Sequence, residues 1–311
     1  MRRLTESSFN LRIEQKLLSI DLRNFRFMTT ASFKEVELNA GWIASLHLDF
    51  VEVDGKTVFK QNLHQGPLQV QKIFYPEANG TGHVYILHPP GGVVGGDSFD
   101  VNINLNSNAK VLITTPAAGK FYRSAGPIAY QKQTLEVANH GVLEWFPSEN
   151  IFFPGAKVKL ETRINLSKES HFIGWDILCL GRPSIGETFD NGQLTQRLEI
   201  FMDRRLIRLE KLIIQENDLM LNAKWGLRGK PVVGTLFCLT SRTDLIDLLR
   251  GSIKLLDGDN LLSVTLVDNV ILCRYLGNSV EQVKQKFIKV WQVLRIALRG
   301  HEPVIPRIWS T

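Results

Sequence analysis

Ala44-Ser45-Leu46-His47-Leu48-Asp49-Phe50 alternates apolar and polar side chains without a break. Successive side chains of a strand point to opposite faces, so Ala44, Leu46, Leu48 and Phe50 share one face and the intervening residues wet the other. Asp54-Gly55 follows as a turn signal, and Thr57-Val58-Phe59 resumes an extended pattern. Short alternating segments recur at His83 to His88, Val101 to Leu105, Val111 to Thr115, Gln133 to Val137, Val158 to Leu166 and Leu198 to Phe201, separated by Gly, Pro, Asn and Asp. No convincing helical period occurs up to about Gln215. The pattern predicts a mainly β body over 41–230, as a sandwich, barrel or solenoid. Residues 1–40 lack a period and read as a variable arm.

The last quarter, 231–311, reads differently, as a β-α-β-β-α unit packed on the body. Pro231 to Leu239 is a buried strand, and Ser241-Arg242-Thr243-Asp244 precedes the apolar Leu245, Ile246, Leu248 and Leu249 as a helix start. Leu261 to Val267 and Val270 to Tyr275 form a hairpin around Asp268-Asn269. Ser279 and Gln282 then make a capping box, and Val280, Val283, Phe287, Val290, Trp291 and Leu294 recur at helical spacing until Gly300.

Composition narrows the function classes. Of 311 residues, 44% are hydrophobic and 22% charged, an ordinary globular balance. No apolar run reaches the roughly 20 residues needed to span a bilayer, and no signal-peptide core follows the start, so we expect a cytoplasmic protein with no membrane partner. Lys+Arg of 37 against Asp+Glu of 31 gives +6. The basic residues are scattered, with Arg204, Arg205, Arg208 and Lys211 the tightest group, and no aromatic stripe accompanies them. That argues against nucleic acid and leaves acidic proteins as partners. The three cysteines, Cys179, Cys238 and Cys273, lie far apart in apolar sequence and read as small buried hydrophobes.

Three segments carry unusual residues. His88-Pro89-Pro90-Gly91-Gly92-Val93-Val94-Gly95-Gly96-Asp97 has the glycine content of a phosphate loop, but Asp97 stands where such a loop needs Lys. A tight turn presenting His88 and Asp97 fits better. Lys120, Tyr122 and Arg123 lie on a loop suited to a carboxylate or to docking. In Leu143-Glu144-Trp145-Phe146-Pro147-Ser148-Glu149, alternation puts Glu144 and Phe146 on one face and Trp145 on the other; Glu144 then either pairs with Arg or Lys or faces an internal channel. Metal spacing is poor, with no His-x-x-His and no Cys pair. At most a weak, oxygen-rich, transient contact is expected, from His88, Asp97, Glu149, Asp176 and Glu187. A hydrolase using Ser98 or the Glu144/Glu149 pair is a rival reading.

Taken in order, these segments resemble the UreD (UreH) family of urease accessory proteins. The resemblance runs over 41–311. It begins at Gly41-Trp42-x-Ala44-x-Leu46, His64-x-Gly66-Pro67-Leu68, and Phe74-Tyr75-Pro76-Glu77. The loop with Gly91, Gly92, Gly95, Gly96 and Asp97 comes next, then Thr115-Pro116-x-Ala118-x-Lys120-x-Tyr122-Arg123-Ser124 and Leu143-Glu144-Trp145-x-Pro147-x-Glu149. Gly174-Trp175, Gly181-Arg182-Pro183, Gly186-Glu187-x-Phe189 and Pro306-Arg307-Ile308-Trp309 complete it. Asp176 stands where the family commonly has Glu, and Ser148 where it often has Gln.

The resemblance implies strands wound in a helical fashion with a few helices, and a role without catalysis. It implies docking on apo-urease, binding of a UreF-like protein that recruits the UreG-like GTPase, and an internal passage for nickel. No tightly bound cofactor is expected; nickel would be in transit. Tyr75, Glu77, Lys120, Tyr122, Arg123, Glu144, Trp145, Arg182, Arg307 and Trp309 are then expected to serve docking or structure. A nickel store in its own right remains the alternative.

Overall fold

The computed structural model describes residues 41–253, 256–257 and 259–310, and the arm expected at 1–40 lies outside the described residues. β1 (Ile43–Val53) and β2 (Lys56–Gln65) form the first hairpin, with Asp54 and Gly55 both at positive φ in the turn between them. β3 (Gln69–Phe74) and β4 (Gly82–Leu87) follow. The chain then winds through β5 (Ser98–Leu105), β6 (Lys110–Thr114), β7 (Gly119–Phe121), β8 (Ala129–Val137), β9 (Val142–Phe146), β10 (Asn150–Phe152), β11 (Lys157–Leu166), β12 (His171–Leu180), β13 (Gln193–Met202) and β14 (Arg205–Ile214).

Among the described residues the strands make two large sheets. The first is seven-stranded, in the order β14-β13-β11-β8-β5-β1-β2, and its inner five strands run parallel. The second contains β4, β6, β9 and β12 in parallel. From β4 to β13 the long strands (β4, β5, β6, β8, β9, β11, β12 and β13) alternate between the sheets, so each coil stacks on the one before, as expected of a solenoid. A short third side closes each coil: Val93 bridges Phe121, β7 pairs with β10, and the Phe121 and Phe152 rings stack 5.3 Å apart.

The C-terminal segment extends the second sheet. β15 (Val232–Leu239) pairs antiparallel with β12, and β18 (Val270–Gly277), β17 (Asn260–Val267) and β16 (Leu256–Asp257) continue outward from it. Two helices, α1 (Asp244–Ser252) and α2 (Val280–Arg299), cover the face of this sheet that points away from the solenoid interior. Val283, Phe287, Val290, Trp291 and Leu294 of α2 are fully buried there. The Ser279 half of the capping box forms, with its Oγ accepting from the Gln282 amide at 3.2 Å, while the Gln282 side chain accepts from Asn260 Nδ2 at 2.7 Å, and Gly300 ends the helix at φ 73°. At α1 the expected cap is different: Thr243 makes no side-chain cap bond, and Arg242 grips Asp244 instead.

This layering explains the sequence patterns. β12, His171-Phe-Ile-Gly-Trp-Asp-Ile-Leu-Cys-Leu180, reads almost continuously apolar because both of its faces are covered. β11 keeps its alternation because its outer face meets water, where Lys159 and Glu161 pair at 2.8 Å. The three cysteines are free and buried, and burial pushes each thiol up to about 12. Among the described residues no helix is long and apolar enough to cross a membrane.

Candidate functional site: a polar chamber between the sheets

A parallel solenoid normally fills its interior with aliphatic side chains. Here the inward positions of three neighbouring strands carry polar groups: Gln131 and Gln133 of β8, Thr162 of β11, and Gln196 of β13. The register sets Gln131 beside Leu160 and Gln133 beside Thr162, whose hydroxyl donates to Gln133 Oε1 at 3.2 Å. Across from them Asp176 points inward from β12, and Gln196 Nε2 donates to its Oδ2. These groups surround a cavity of about 310 Å³ between the two sheets. Trp145, Phe172 and Phe237 line the opposite, apolar wall. One end of the cavity is framed by Pro89–Val93 and Thr115–Lys120, and Pro89, Pro116, Ala117 and Lys120 are exposed at that rim.

Among the described residues Asp176 is the only carboxylate lining this chamber. Its removal from bulk water raises its pKa to about 6, and the Gln196 bond offsets only part of that shift. His88, at the rim, stacks edge-on against Phe99 with ring centroids 4.8 Å apart. Burial holds its pKa below the usual imidazole value against a smaller opposing effect of the Asp97 charge.

The remaining expected metal contacts are engaged elsewhere. Both Asp97 oxygens accept backbone amides, Oδ1 from Trp42 at 2.8 Å and Oδ2 from Val94 at 2.9 Å, so this carboxylate braces the glycine loop. Glu149 pairs with Lys284 of α2 at 2.5 Å, and Glu187 with Arg182 across a surface turn at 2.5 Å. Among the described residues no three His, Cys, Asp or Glu side chains converge as a metal cage.

The glycine loop is fixed by steric fit. A Cβ on Gly92 would lie 2.4 Å from the Tyr122 ring and 2.7 Å from the Lys120 carbonyl, and Gly96 sits at φ 95°. Tyr122 donates from its hydroxyl to the Gly91 carbonyl at 3.0 Å, while Gly95 packs against Ser124. The Arg123 side chain lies under Gly155. Tyr122 and Arg123 therefore brace the rim from below, and both Lys120 and Arg123 are exposed to solvent.

Behind the chamber wall, Glu77 and Glu144 converge on Arg295 of α2. Nη1 of Arg295 meets Glu144 Oε2 at 2.5 Å, and Nη2 meets Glu77 Oε2. Trp291 Nε1 donates to Glu144 Oε1 at 2.9 Å, and His83 Nε2 lies 3.0 Å from Glu77 Oε1. Glu144 thus faces the helix, with Phe146, and Trp145 faces the chamber. Burial pushes the Glu77 carboxyl up, but the His83 hydrogen bond and Arg295 together hold it below its usual range. At Glu144 burial prevails and the pKa rises. Trp309 closes the same layer: its indole donates to Thr114 Oγ1 at 2.9 Å, and it packs 5.5 Å from Trp175 and 5.8 Å from Trp291. Tyr75 donates to the Thr57 carbonyl at 2.7 Å. Arg307 is exposed.

The chamber amides are the site residues that the sequence reading missed. Gln131 and Gln196 precede the segments read as strands at Gln133 to Val137 and Leu198 to Phe201, and Gln133 opens the first of them, where a polar residue carries no sign of facing inward. The available signal was their parity, because each shares the inward face with Leu135, Leu194 or Leu198.

The family model described as the UreD urease accessory protein matches residues 43–310. This chain belongs to the UreD family. It is 45% identical over 275 residues to the urease accessory protein UreD of Alcanivorax borkumensis, covering 87% of this chain and 93% of that protein. It is 42% identical over 276 residues to the Escherichia coli UreD, and 43% over 274 residues to that of Klebsiella aerogenes, covering 88% of this chain and 98% of each relative. The UreD match takes in the glycine loop, the chamber strands and α2, and the arm lies outside it.

Proposed function

We propose that this chain works in urease maturation as a cytoplasmic scaffold without catalytic activity of its own. In this reading it docks on apo-urease and, with a UreF-like protein and a UreG-like GTPase, enables nickel to enter the urease active site. Family membership supports the maturation role. The chamber is the observation that carries the finer reading. Neutral amide and hydroxyl oxygens with one carboxylate give a divalent cation oxygen donors without a cage, so an ion can enter and leave. His88 at the rim and Asp176 inside are the two ion contacts we assign to this path; Asp97, Glu149 and Glu187 are held by their own partners. Nickel is cargo here, and no resident cofactor is proposed.

The test is urease activity and nickel content in cells that carry the urease operon without this gene, then with it restored. We expect assembled, nickel-poor, inactive urease in the deletion and recovery of both properties on complementation. Fully metallated, active urease in the deletion strain overturns the proposal.

A further inference from the structure

The connection between β14 and β15, residues 215–231, caps the last coil of the solenoid. Leu227 sits in the core at 9% exposure, and Met220 and Leu221 pack against the same cluster. The loop is tightly bonded to itself. Asp218 accepts the Met220 amide at 2.9 Å and the Gln215 amide at 3.3 Å. The amides of Ala223, Leu227 and Gly229 donate to Leu219, Met220 and Leu221 at 2.9, 2.7 and 2.7 Å. Gly226 admits no side chain, because a Cβ there would lie 2.2 Å from the Met220 carbonyl.

This rigid cap turns two large apolar side chains outward: Leu219 is 80% exposed and Trp225 77%. The connection between β12 and β13 spans the same strand ends, since Val232 lies opposite Cys179 and Ile214 opposite Leu194, and it presents Ile185 at 65% exposure. Single exposed hydrophobics are ordinary; two large ones on one self-bonded connection, with Ile185 on the connection at the same strand ends, set this end of the solenoid apart. Lys224 and Arg228 stand in the same cap and have no carboxylate partner among the described residues, and Arg228 Nε donates to the Lys224 carbonyl. Glu216 is the one acid of the cap not used in capping it.

We infer that the 215–231 cap is a docking surface for a folded acidic protein that offers an apolar recess for Trp225 and Leu219, bordered by carboxylates that meet Lys224 and Arg228. Tryptophan and arginine are the residue types that dominate binding hot spots, and a prefolded loop spares the entropy of ordering one on contact. The basic rim sets the sign of the partner and steers its approach. This inference rests on the scaffold reading above for the supply of partners.

The test measures affinity of the full chain for purified apo-urease and, separately, for the purified UreF-like protein, by biolayer interferometry at low and high salt. Leu219→Ser with Trp225→Ser should weaken one of the two at least tenfold with an unchanged melting temperature, because both side chains are mostly exposed. Lys224→Glu with Arg228→Glu should weaken the same complex at low salt, and the difference should shrink at high salt. If the wild type binds and neither double variant weakens either complex, the docking inference fails while the scaffold reading stands. Wild-type chain that binds neither protein overturns both. A variant that changes only self-association assigns the patch to a second copy of this chain and also overturns the inference.

Discussion

Replacing Asp176 by Asn should make the protein more stable at pH 8 and leave it nearly unchanged at pH 4. The folded carboxyl has a pKa near 6 against 3.8 in its ordinary state, because the chamber withholds the water that an ion needs. An acid whose folded pKa is raised binds more protons in the folded than in the unfolded chain. Stability therefore falls as pH rises from about 4 to about 6, and the loss persists above that. A shift of this size corresponds to roughly 3 kcal/mol, at about 1.4 kcal/mol per pKa unit. Asn removes the charge and keeps the contact, since its Oδ1 accepts from Gln196 Nε2 as the carboxylate does. The assay is urea unfolding of both proteins at pH 4, 6 and 8, with the gain expected to grow across that range to a few kcal/mol. An equal difference at pH 4 and pH 8, or an Asn variant less stable at pH 8, refutes the argument. The same substitution separates stability from ion passage. A better-folded protein that still docks but delivers less nickel when the metal is limiting identifies Asp176 as a contact on the path.

Other perturbations test the frame around the chamber. Arg295→Met leaves Glu77 and Glu144 buried without their cation, and should cost about 3–5 kcal/mol, read as a lowered urea midpoint. Gly92→Ala forces the Tyr122 ring or the Lys120 carbonyl aside and should lower the melting temperature by several degrees, whereas Gly55→Ala has open space and is strained only by its φ of 79°. The three thiols should resist a disulfide reagent in the folded protein and react together on unfolding, followed by absorbance; one fast native thiol would contradict their burial. Trp309→Phe keeps a ring against Phe146, Trp175 and Trp291 but loses the bond to Thr114, for an expected loss of about 1 kcal/mol in chemical denaturation.

Much of the architecture follows from local chemistry alone. Period-two alternation marked β1, β11 and the hairpin β17–β18, and Ser279, Gln282 and Gly300 marked both ends of α2. The pairing of apolar Phe146 with Glu144 on one face of β9, with Trp145 opposite, also came from parity, which a strand cannot evade. The order of the motifs was sufficient to point to the UreD family.

The chamber was not legible in this way. A polar side chain at an inward strand position looks the same in sequence as one at an outward position until the register is fixed. That register depends on coils far apart in the chain: Gln133 meets Thr162, and Gln196 meets Asp176, only because the solenoid stacks β8, β11 and β13 and sets β12 across from them. The carboxylates separated in the same way. Sequence grouped Asp97, Glu149, Asp176 and Glu187 as similar acids, and the fold gave the first two backbone amides, the second a lysine of α2, the last an arginine five residues away, and Asp176 alone a place in the chamber. Alternation, caps and turns are set by neighbours along the chain, so the sequence determined the elements. The environment of an ionisable group is set by whatever the fold brings within a few ångströms, and that only the tertiary structure decided.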